Sequence, residues 1–215
     1  MPAYLIEGQV VYFSHIPKCG GTSVETALRA AGPEILNDRR FLAEDHHPTS
    51  CSAQHFHAAL VDRLCDRAFF SYRFAVVRDP VARMISEFRH RMDIRPRSRA
   101  RTMAGIEGEE PEDFDDWVTF AFEGYARSRY IFDNHVRPQS EFVTEDTEIF
   151  RLEDGMEKVF ARLSAVLGQT VIAPAIRKQV STKRAVLPST ATLSRIHDFY
   201  ASDYGMLAYD KASWG

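Results

Sequence analysis

Residues 15–24 read His15-Ile16-Pro17-Lys18-Cys19-Gly20-Gly21-Thr22-Ser23-Val24, and this stretch decides the fold. It follows an apolar run at residues 10–13, which indicates a strand, and it leads into apolar residues at helical spacing: Val24, Ala27, Leu28 and Ala31. The sequence therefore predicts a strand, a glycine turn and a helix that opens on Thr22 and Ser23, residue types that cap helices well. Backbone N–H groups and the positive end of the helix dipole converge at such a turn, with Lys18 at its edge. We expect an anion such as phosphate or sulfate to bind there.

The order of residues in this turn argues against a magnesium–nucleotide site. A Walker A loop places its lysine after the glycines and a hydroxyl residue directly behind the lysine. Here Lys18 precedes Gly20 and Gly21, and no Gly-Lys pair occurs elsewhere in the chain. An ATPase or GTPase is therefore disfavoured, while a P-loop nucleotide kinase-like enzyme and a non-catalytic nucleotide-binding module stay open as alternatives.

Composition describes an ordinary globular protein. A chain of 215 residues, 45% apolar and 27% charged, suits one α/β domain spanning residues 1–215. The formal charge of −3 gives no overall attraction to nucleic acid, so anion binding must be local. Three unevenly spaced cysteines argue against a disulfide framework and favour a reducing compartment. No apolar run reaches the ~20 residues of a membrane span, and the first strand begins too early to leave room for a signal peptide. We expect a cytoplasmic protein without membrane insertion, and the sequence leaves its oligomeric state open.

A second strand–helix junction is predicted at Arg78-Asp79-Pro80. The apolar run at residues 69–77 indicates a strand, and Asp79 followed by Pro80 is a strong helix start. The Arg78 guanidinium can pair bidentately with phosphate oxygens, and Ser86 on the following helix can add a hydrogen bond. Alternating strands and helices predict an α/β fold, P-loop-like and three-layered (α/β/α), with a mostly parallel central sheet. Because ligands in such folds bind beyond the carboxyl ends of the strands, both junctions are expected to face one crevice.

The remainder of the chain carries weaker signals. Oppositely charged blocks interrupted by proline and glycine predict a flexible excursion around residues 93–112. Further predicted elements are a long connection at 33–55, a helix at 114–123, short strands at 141–143 and 148–152, a helix capped by Asp154 and ended by Gly168, and a last helix starting near Ser189 or Thr190.

Histidines supply the candidate proton acceptors. His55 and His57 lie two residues apart and would share one face of an extended segment. An imidazole that titrates near neutral pH suits a general base. A zinc site could also be drawn from five residues: His46, His47, Cys51, His55 and His57. Because no C-x-x-C or H-E-x-x-H pattern occurs and this ligand order fits no familiar site, we expect no metal.

Together, these motifs resemble those of sulfotransferases that use 3′-phosphoadenosine 5′-phosphosulfate (PAPS). The order Pro-Lys-x-Gly-Gly-Thr-Ser resembles their 5′-phosphosulfate loop, and the full stretch at 15–23 is most similar to the carbohydrate branch, which includes uronyl and heparan 2-O-sulfotransferases and many bacterial relatives. Residues 74–80 with Ser86 resemble the 3′-phosphate site, and residues 134–139 resemble an Asn-x-x-x-Pro-Gln segment near the acceptor. The resemblance spans residues 11 to about 209.

The resemblance implies how the donor is held. Lys18 would contact the transferring sulfate and the bridging oxygen, which is a transition-state role as well as a binding role. The 5′-phosphosulfate would also be held by the rest of the loop: Cys19, Gly20, Gly21, Thr22 and Ser23. Arg78 and Ser86 would grip the 3′-phosphate, and a late basic loop containing Lys183 and Arg184 would close over the nucleotide.

The resemblance also implies the reaction on the acceptor side. His57 is expected to act as the base, as a histidine does in the 2-O-sulfotransferases, with His55 orienting it or contacting substrate. His135 and Arg137 are expected to meet the acceptor. The implied function is in-line transfer of a sulfuryl group from PAPS to a hydroxyl of a carbohydrate or glycolipid, in a bacterial cytoplasm and without a metal.

Overall fold

Two compact units make up the chain. The computed structural model describes residues 2–36, 51–98, 110–174 and 185–214. The first unit comprises Met1–Arg78 and Glu141–Ile176, and the second comprises Asp79–Ser140 and Arg177–Gly215. Each unit has its own cluster of buried apolar side chains. The organisation of residues 1–215 as one sulfotransferase domain stays a prediction.

The strands of the first unit form one sheet in the order β3-β1-β2-β4-β5. Their bounds are β1 Ala3–Ile6, β2 Gln9–Ser14, β3 Glu34–Leu36, β4 Tyr72–Val77 and β5 Glu148–Arg151. β2 pairs in parallel with β4, and β4 pairs in parallel with β5, whereas β1 is antiparallel to both β2 and β3. Since only β1 runs against the others, the predicted α/β class with a mostly parallel sheet is confirmed for the described residues.

The described residues also form seven α-helices. Their bounds are α1 Gly21–Ala31, α2 Ala58–Leu64, α3 Pro80–Ser98, α4 Phe114–Arg127, α5 Met156–Leu167, α6 Thr190–Phe199 and α7 Ala201–Leu207. Among the residues that the structure describes, none of these helices combines the length and the apolar character needed to cross a bilayer.

The core of the first unit lies between one face of the sheet and two helices. Alternate residues of β1, β2 and β4 pack with side chains of α1 and α5, as a period of two in strands and about 3.6 in helices requires. The α1 side chains predicted to face the core, Val24, Ala27 and Leu28, are buried as expected. Burying a side chain of the size of Val24 or Leu28 contributes about 1.5–3 kcal/mol, so this packing fixes the glycine turn at the start of α1.

The regular elements of the second unit, among its described residues, are helices, and its core includes the fully buried Trp117. Side chains of α3, α4 and α6 belong to this core, and so does Tyr200, which follows α6; the Phe88 ring contacts the Trp117 ring. The predicted start of α3 is confirmed, because Pro80 is its first residue and the Asp79 Oδ1 accepts a hydrogen bond of 2.8 Å from the Ala82 amide.

Helix ends elsewhere were predicted with mixed success. Ser189 caps α6 by accepting from the Thr192 amide, and Gly168 ends α5 in the left-handed region, both as predicted. Asp154 does not cap α5, because Gly155, with φ at 97°, occupies that position. α3 continues to Ser98, into the segment predicted to be a flexible excursion, and residues 99–109 lie outside the described residues.

Two predicted strands differ from the structure. Residues 141–143 do not form a strand, since Gln139–Phe142 is a 3-10 helix whose first two backbone amides donate to the Asp203 carboxylate. β4 begins at Tyr72 instead of Phe69, because Asp66 caps a 3-10 helix at Arg67–Phe69. Asp66 accepts from the nearby Ala68 amide, whereas Asp203 reaches the start of the other 3-10 helix from a distant part of the chain.

Candidate active site

The glycine loop connects β2 to α1. Gly20 is the N-cap of α1 and adopts a left-handed conformation with φ at 80°, and no side chain caps the helix. The expectation that Thr22 and Ser23 cap the helix is therefore wrong: both lie in its first turn. The start of α1 is consequently held by backbone geometry, and its first amides are not bonded to a capping side chain.

Lys18 has an unusual backbone conformation and a link to the second junction. Its φ is 68°, a region that residues other than glycine seldom adopt, which marks a backbone conformation imposed by its surroundings. Its carbonyl accepts a hydrogen bond of 3.3 Å from Nη1 of Arg78. Because β2 and β4 are parallel neighbours, with Ser14 opposite Ala75, the loops that follow them begin at the same edge of the sheet. Lys18 and Arg78 thus lie in one part of the first unit, as predicted.

A buried carboxylate lies directly behind this loop. Glu25 on α1 is 1% exposed, and its Oε1 lies 2.5 Å from Nδ1 of His15, which is 7% exposed. Its other oxygen accepts a hydrogen bond of 2.6 Å from Arg29, and Oε1 also accepts one of 2.7 Å from the Gln54 amide. We call these four residues the Glu25 cluster. Neither His15 nor Glu25 was predicted to be a site residue.

The electrostatics of the Glu25 cluster favour an ionised carboxylate. Burial by itself would raise the Glu25 pKa, but hydrogen bonds from His15, Gln54 and Arg29, together with the charge of His15, outweigh it and hold the pKa at about 2. Since an ionised carboxylate only accepts hydrogen bonds, Nδ1 of His15 must carry the hydrogen that faces it. The other nitrogen, Nε2, faces Gly21, where an added Cβ would overlap the imidazole.

The two candidate bases do not lie on one extended segment. His55 ends a 3-10 helix at Ala53–His55 and is buried, with its ring edge-on to His15 at 5.1 Å between centroids. His57 is the N-cap residue of α2, and its side chain is half-buried. Because His55 lies in a 3-10 helix, the two histidines do not share one extended segment, and the choice of His57 as base stays a prediction.

The remaining donor-side candidates are more scattered in the chain. Ser86 lies on α3 with a half-buried side chain. It belongs to the second unit, whereas Lys18 and Arg78 belong to the first. Lys183 and Arg184 lie outside the described residues.

His135 is the better placed of the two acceptor-side candidates. Its Nδ1 lies 2.6 Å from Oε2 of the buried Glu87, and its ring stacks on His90. The preceding residues 132–134 all have positive φ, so a tight turn presents this imidazole. A histidine held by a carboxylate in this way has a fixed ring orientation, which suits contact with a substrate hydroxyl.

Arg137, by contrast, is engaged within its own turn. It is 4% exposed, its Nε donates to Oδ1 of Asn134 at 2.9 Å, and its Nη2 donates to the Arg129 carbonyl at 3.1 Å. The guanidinium also lies over the Tyr130 ring at 5.1 Å. These contacts stabilise the turn that carries His135, and direct contact of Arg137 with an acceptor stays a prediction.

Comparison with known proteins identifies the family. The model of the sulfotransferase family matches residues 4–210, which is nearly the whole chain. The chain belongs to the sulfotransferase family. It is therefore a sulfotransferase, and its family implies PAPS as the sulfate donor. Neither the curated proteins nor the solved structures gave a match.

The glycine loop of this sulfotransferase fits an anionic donor group. The start of α1 has no side-chain cap, and the His15 ring packs directly against Gly21. Lys18 and Arg78 add two cationic side chains on adjacent loops. Exposed helix amides and cations are the groups that bind phosphate and sulfate oxygens.

Proposed function

We propose that this sulfotransferase transfers the sulfuryl group of PAPS to a hydroxyl of a carbohydrate or glycolipid. The observation that carries the proposal is the pairing of Arg78 with the Lys18 carbonyl at the uncapped start of α1, within a chain that the family model matches over residues 4–210. We include in this proposal a P-loop-like three-layer α/β/α arrangement. Consecutive buried residues on β2 (11–14) and β4 (73–77) support it, because a strand that is buried on both faces of its sheet lies between two layers.

On the donor side, the loop residues bind and neutralise charge. We assign the 5′-phosphosulfate to Lys18, the backbone of residues 19–22 and the hydroxyls of Thr22 and Ser23. Lys18 stabilises the negative charge that develops on the bridging oxygen during in-line transfer, and stabilisation at that point lowers the barrier. Arg78 and Ser86 bind the 3′-phosphate, and Lys183 and Arg184 close over the nucleotide.

On the acceptor side, imidazoles take the proton and orient the hydroxyl. His57 removes the proton of the attacking hydroxyl, and the buried His55 supports it. Since Glu87 holds His135, that imidazole is positioned to contact the acceptor, while Arg137 maintains the turn beside it. No metal is part of this mechanism, because cationic side chains and helix amides balance the charge.

The direct test measures transfer of radiolabelled sulfate from PAPS to a panel of glycans and glycolipids. We expect transfer to at least one acceptor class, in the presence of EDTA as well. Lys18→Ala and His57→Ala should each lower kcat tenfold or more, a loss of about 1.4 kcal/mol or more of transition-state stabilisation. Lys158→Ala is the matched control, because that lysine is 64% exposed on α5, and it should leave kcat unchanged.

Nucleotide binding separates this function from its alternatives. Thermal stabilisation by 3′,5′-ADP without magnesium supports the proposal, whereas stabilisation by Mg-ATP alone would indicate a P-loop kinase-like enzyme. Binding of 3′,5′-ADP without any transfer, unaffected by Lys18→Ala, would indicate a non-catalytic nucleotide-binding module.

We further propose that the enzyme works in a reducing, cytoplasmic setting. All three cysteines of the chain are described, and Cys19, Cys51 and Cys65 form no disulfide with one another. A secreted protein with an odd number of unpaired thiols would be exposed to unwanted oxidation.

A further inference from the structure

The segment that carries the two candidate bases has little regular structure to hold it. Residues 53–57 form one 3-10 turn followed by extended backbone, and they lie outside the sheet. The backbone hydrogen bonds that the structure gives to this segment are local: His55 donates to the Ser52 carbonyl, and the His57 carbonyl accepts from Leu60 and Val61. The placement of His57 therefore depends on side chains that reach other elements.

Gln54 supplies such a side chain. It lies between Ala53 and His55, and its amide donates to Oε1 of Glu25 on α1 at 2.7 Å. Nε2 of Gln54 also lies 3.1 Å from Nδ1 of His15, but Nδ1 carries the hydrogen directed at Glu25, so the carboxylate is the acceptor for Gln54. This bond connects the histidine segment to the helix that follows the glycine loop.

The Glu25 carboxylate, to which Gln54 donates, is itself held in a fixed position. The carboxylate is almost fully buried and is bonded from three directions by His15, Arg29 and Gln54. Hydrogen bonds to an ionised group are shorter and stronger than hydrogen bonds between neutral groups. Removing a hydrogen-bond partner also costs more free energy at a buried carboxylate than at an exposed one. A displacement of Gln54 is therefore resisted.

The same cluster contacts the glycine loop. The His15 ring fills the space where a Cβ of Gly21 would lie, and its edge meets the His55 ring at 5.1 Å between centroids. One imidazole thus separates the start of α1 from a candidate base, and Glu25 fixes its orientation.

We propose that Glu25 and Gln54 are positioning residues, which hold the segment 53–57 against the glycine loop so that His57 meets the acceptor hydroxyl beside the sulfuryl group. The inference rests on the proposed function, because it assigns His57 the role of base. Gln54 belongs to the histidine segment and connects it to Glu25, whereas Glu25 holds that segment and also orients His15 against the glycine loop.

Three variants separate these effects in the full-length enzyme. Gln54→Ala should lower kcat about tenfold and leave the KM for PAPS within about twofold of wild type. Glu25→Gln should lower kcat by a similar factor and also raise the KM for PAPS, because His15 loses its anionic partner. Glu34→Gln is the matched control, since Glu34 accepts from Arg29 and Tyr4 but contacts neither His15 nor Gln54, and it should change neither constant.

Hydrogen exchange provides a readout that does not depend on an acceptor. Amides of residues 52–57 should exchange faster in Gln54→Ala and Glu25→Gln than in wild type or Glu34→Gln. In the double variant the two losses of kcat should not add, because both changes break the same connection.

Two results would overturn the inference. The first is a kcat of Gln54→Ala within twofold of wild type, and the second is an equal change of kcat in Glu34→Gln and Glu25→Gln. Either would show that the Glu25 cluster stabilises the fold without positioning the histidine segment. A wild-type enzyme that transfers no sulfate from PAPS to any acceptor would instead refute the proposed function, and the exchange rates of residues 52–57 would still decide whether Glu25 and Gln54 hold the segment.

Discussion

A neighbouring side chain, and not its own backbone angle, is what requires a glycine at position 21. Its φ is not in the left-handed region, yet an added Cβ would overlap the buried His15 ring, which Glu25 holds in place. The two positions of the loop therefore require glycine for different physical reasons. Position 20 has a left-handed backbone conformation, and at position 21 the His15 imidazole occupies the place of a Cβ. The motif predicted both glycines, but it could not distinguish these reasons.

We expect Gly21→Ala to destabilise the enzyme by about 1–3 kcal/mol, as overpacking at a buried site does. The same substitution should weaken binding of 3′,5′-ADP, because the start of α1 must move. Gly205→Ala is the control: no atom lies within 4 Å of its added Cβ on α7, so stability should stay constant or rise by about 0.5–1 kcal/mol. Urea denaturation measures the change in stability, and calorimetric titration measures the binding of 3′,5′-ADP. If Gly21→Ala changed neither quantity, the His15 ring would have to move aside without cost.

Some residues of the site could be predicted from the sequence, and others could not. Lys18 and Arg78 follow predicted strands, so their proximity could be inferred from the parallel arrangement alone. Glu25 could not be recognised, because a glutamate four residues before Arg29 on a helix usually indicates a solvated ion pair. Its burial depends on His15, ten residues earlier, and on Gln54, twenty-nine residues later, and no local pattern records those distances.

At the scale of elements, α3 depends on a residue that serves two partners. Oδ1 of Asp79 accepts from the Ala82 amide at the start of α3, and it also accepts a hydrogen bond of 2.8 Å from Nε1 of Trp214 in the 3-10 helix Lys211–Trp214. The cap was predictable from Asp79 and Pro80, whereas the contact with Trp214 was not, since 135 residues separate the two.

Asp79→Ala should lower the free energy of unfolding by about 1–2 kcal/mol, the usual cost of losing a helix N-cap, with a further loss from the indole bond. Trp214→Phe removes the indole N–H while keeping an aromatic ring, so it should show only the smaller loss of stability, which comes from the indole hydrogen bond. Urea denaturation of both variants and of the double variant measures the two contributions. Equal losses for Asp79→Ala and Trp214→Phe would contradict a capping role for Asp79.

Elements with strong local signals were predicted well, and those held by distant partners were not. Ser189, Pro80 and Gly168 mark helix ends through their own chemistry, and the structure has those ends at the predicted places. The predicted strand at 141–143 was wrong, because Asp203, more than sixty residues away, accepts from the amides of Gln139 and Ser140 at the start of a 3-10 helix that continues to Phe142. A short apolar run in the sequence does not indicate a hydrogen-bond acceptor that lies far away in the chain.

At the scale of the whole molecule, the sequence led to the fold class but not to the division into two units. Alternating strands and helices predicted a mostly parallel sheet, and the match of the sulfotransferase family over residues 4–210 agrees with the motifs. The boundary between Arg78 and Asp79 left no trace in composition, because a strand end and a helix cap adjoin there without a linker. The chain crosses between the units three times, so neither unit is a continuous segment.

The buried Glu25 also predicts how the stability of the enzyme depends on pH. Its pKa lies at about 2 in the folded protein, against a usual value of 4.5, so the unfolded chain binds the proton more readily between these values. The stabilisation is complete above about pH 5 and is lost as the pH falls towards 2, and the difference corresponds to roughly 3 kcal/mol. Glu148, Asp146 and Asp115 also have lowered pKa values, so wild type and variant share a further acidic loss of stability.

Comparison of wild type with Glu25→Gln isolates the contribution of this one carboxylate. In urea denaturation, the wild type should be the more stable at pH 6, and the gap should narrow steadily between pH 5 and pH 3, because only the wild type has a carboxylate at position 25 to protonate. Glu123→Gln, which changes an exposed side chain on α4, should follow the wild-type curve over the same range. Parallel curves for wild type and Glu25→Gln would mean that Glu25 is not the ionised centre of its cluster. Since His15 and Gln54 both bond to that ionised carboxylate, convergence of the curves would also establish the charge state on which the placement of the histidine segment depends.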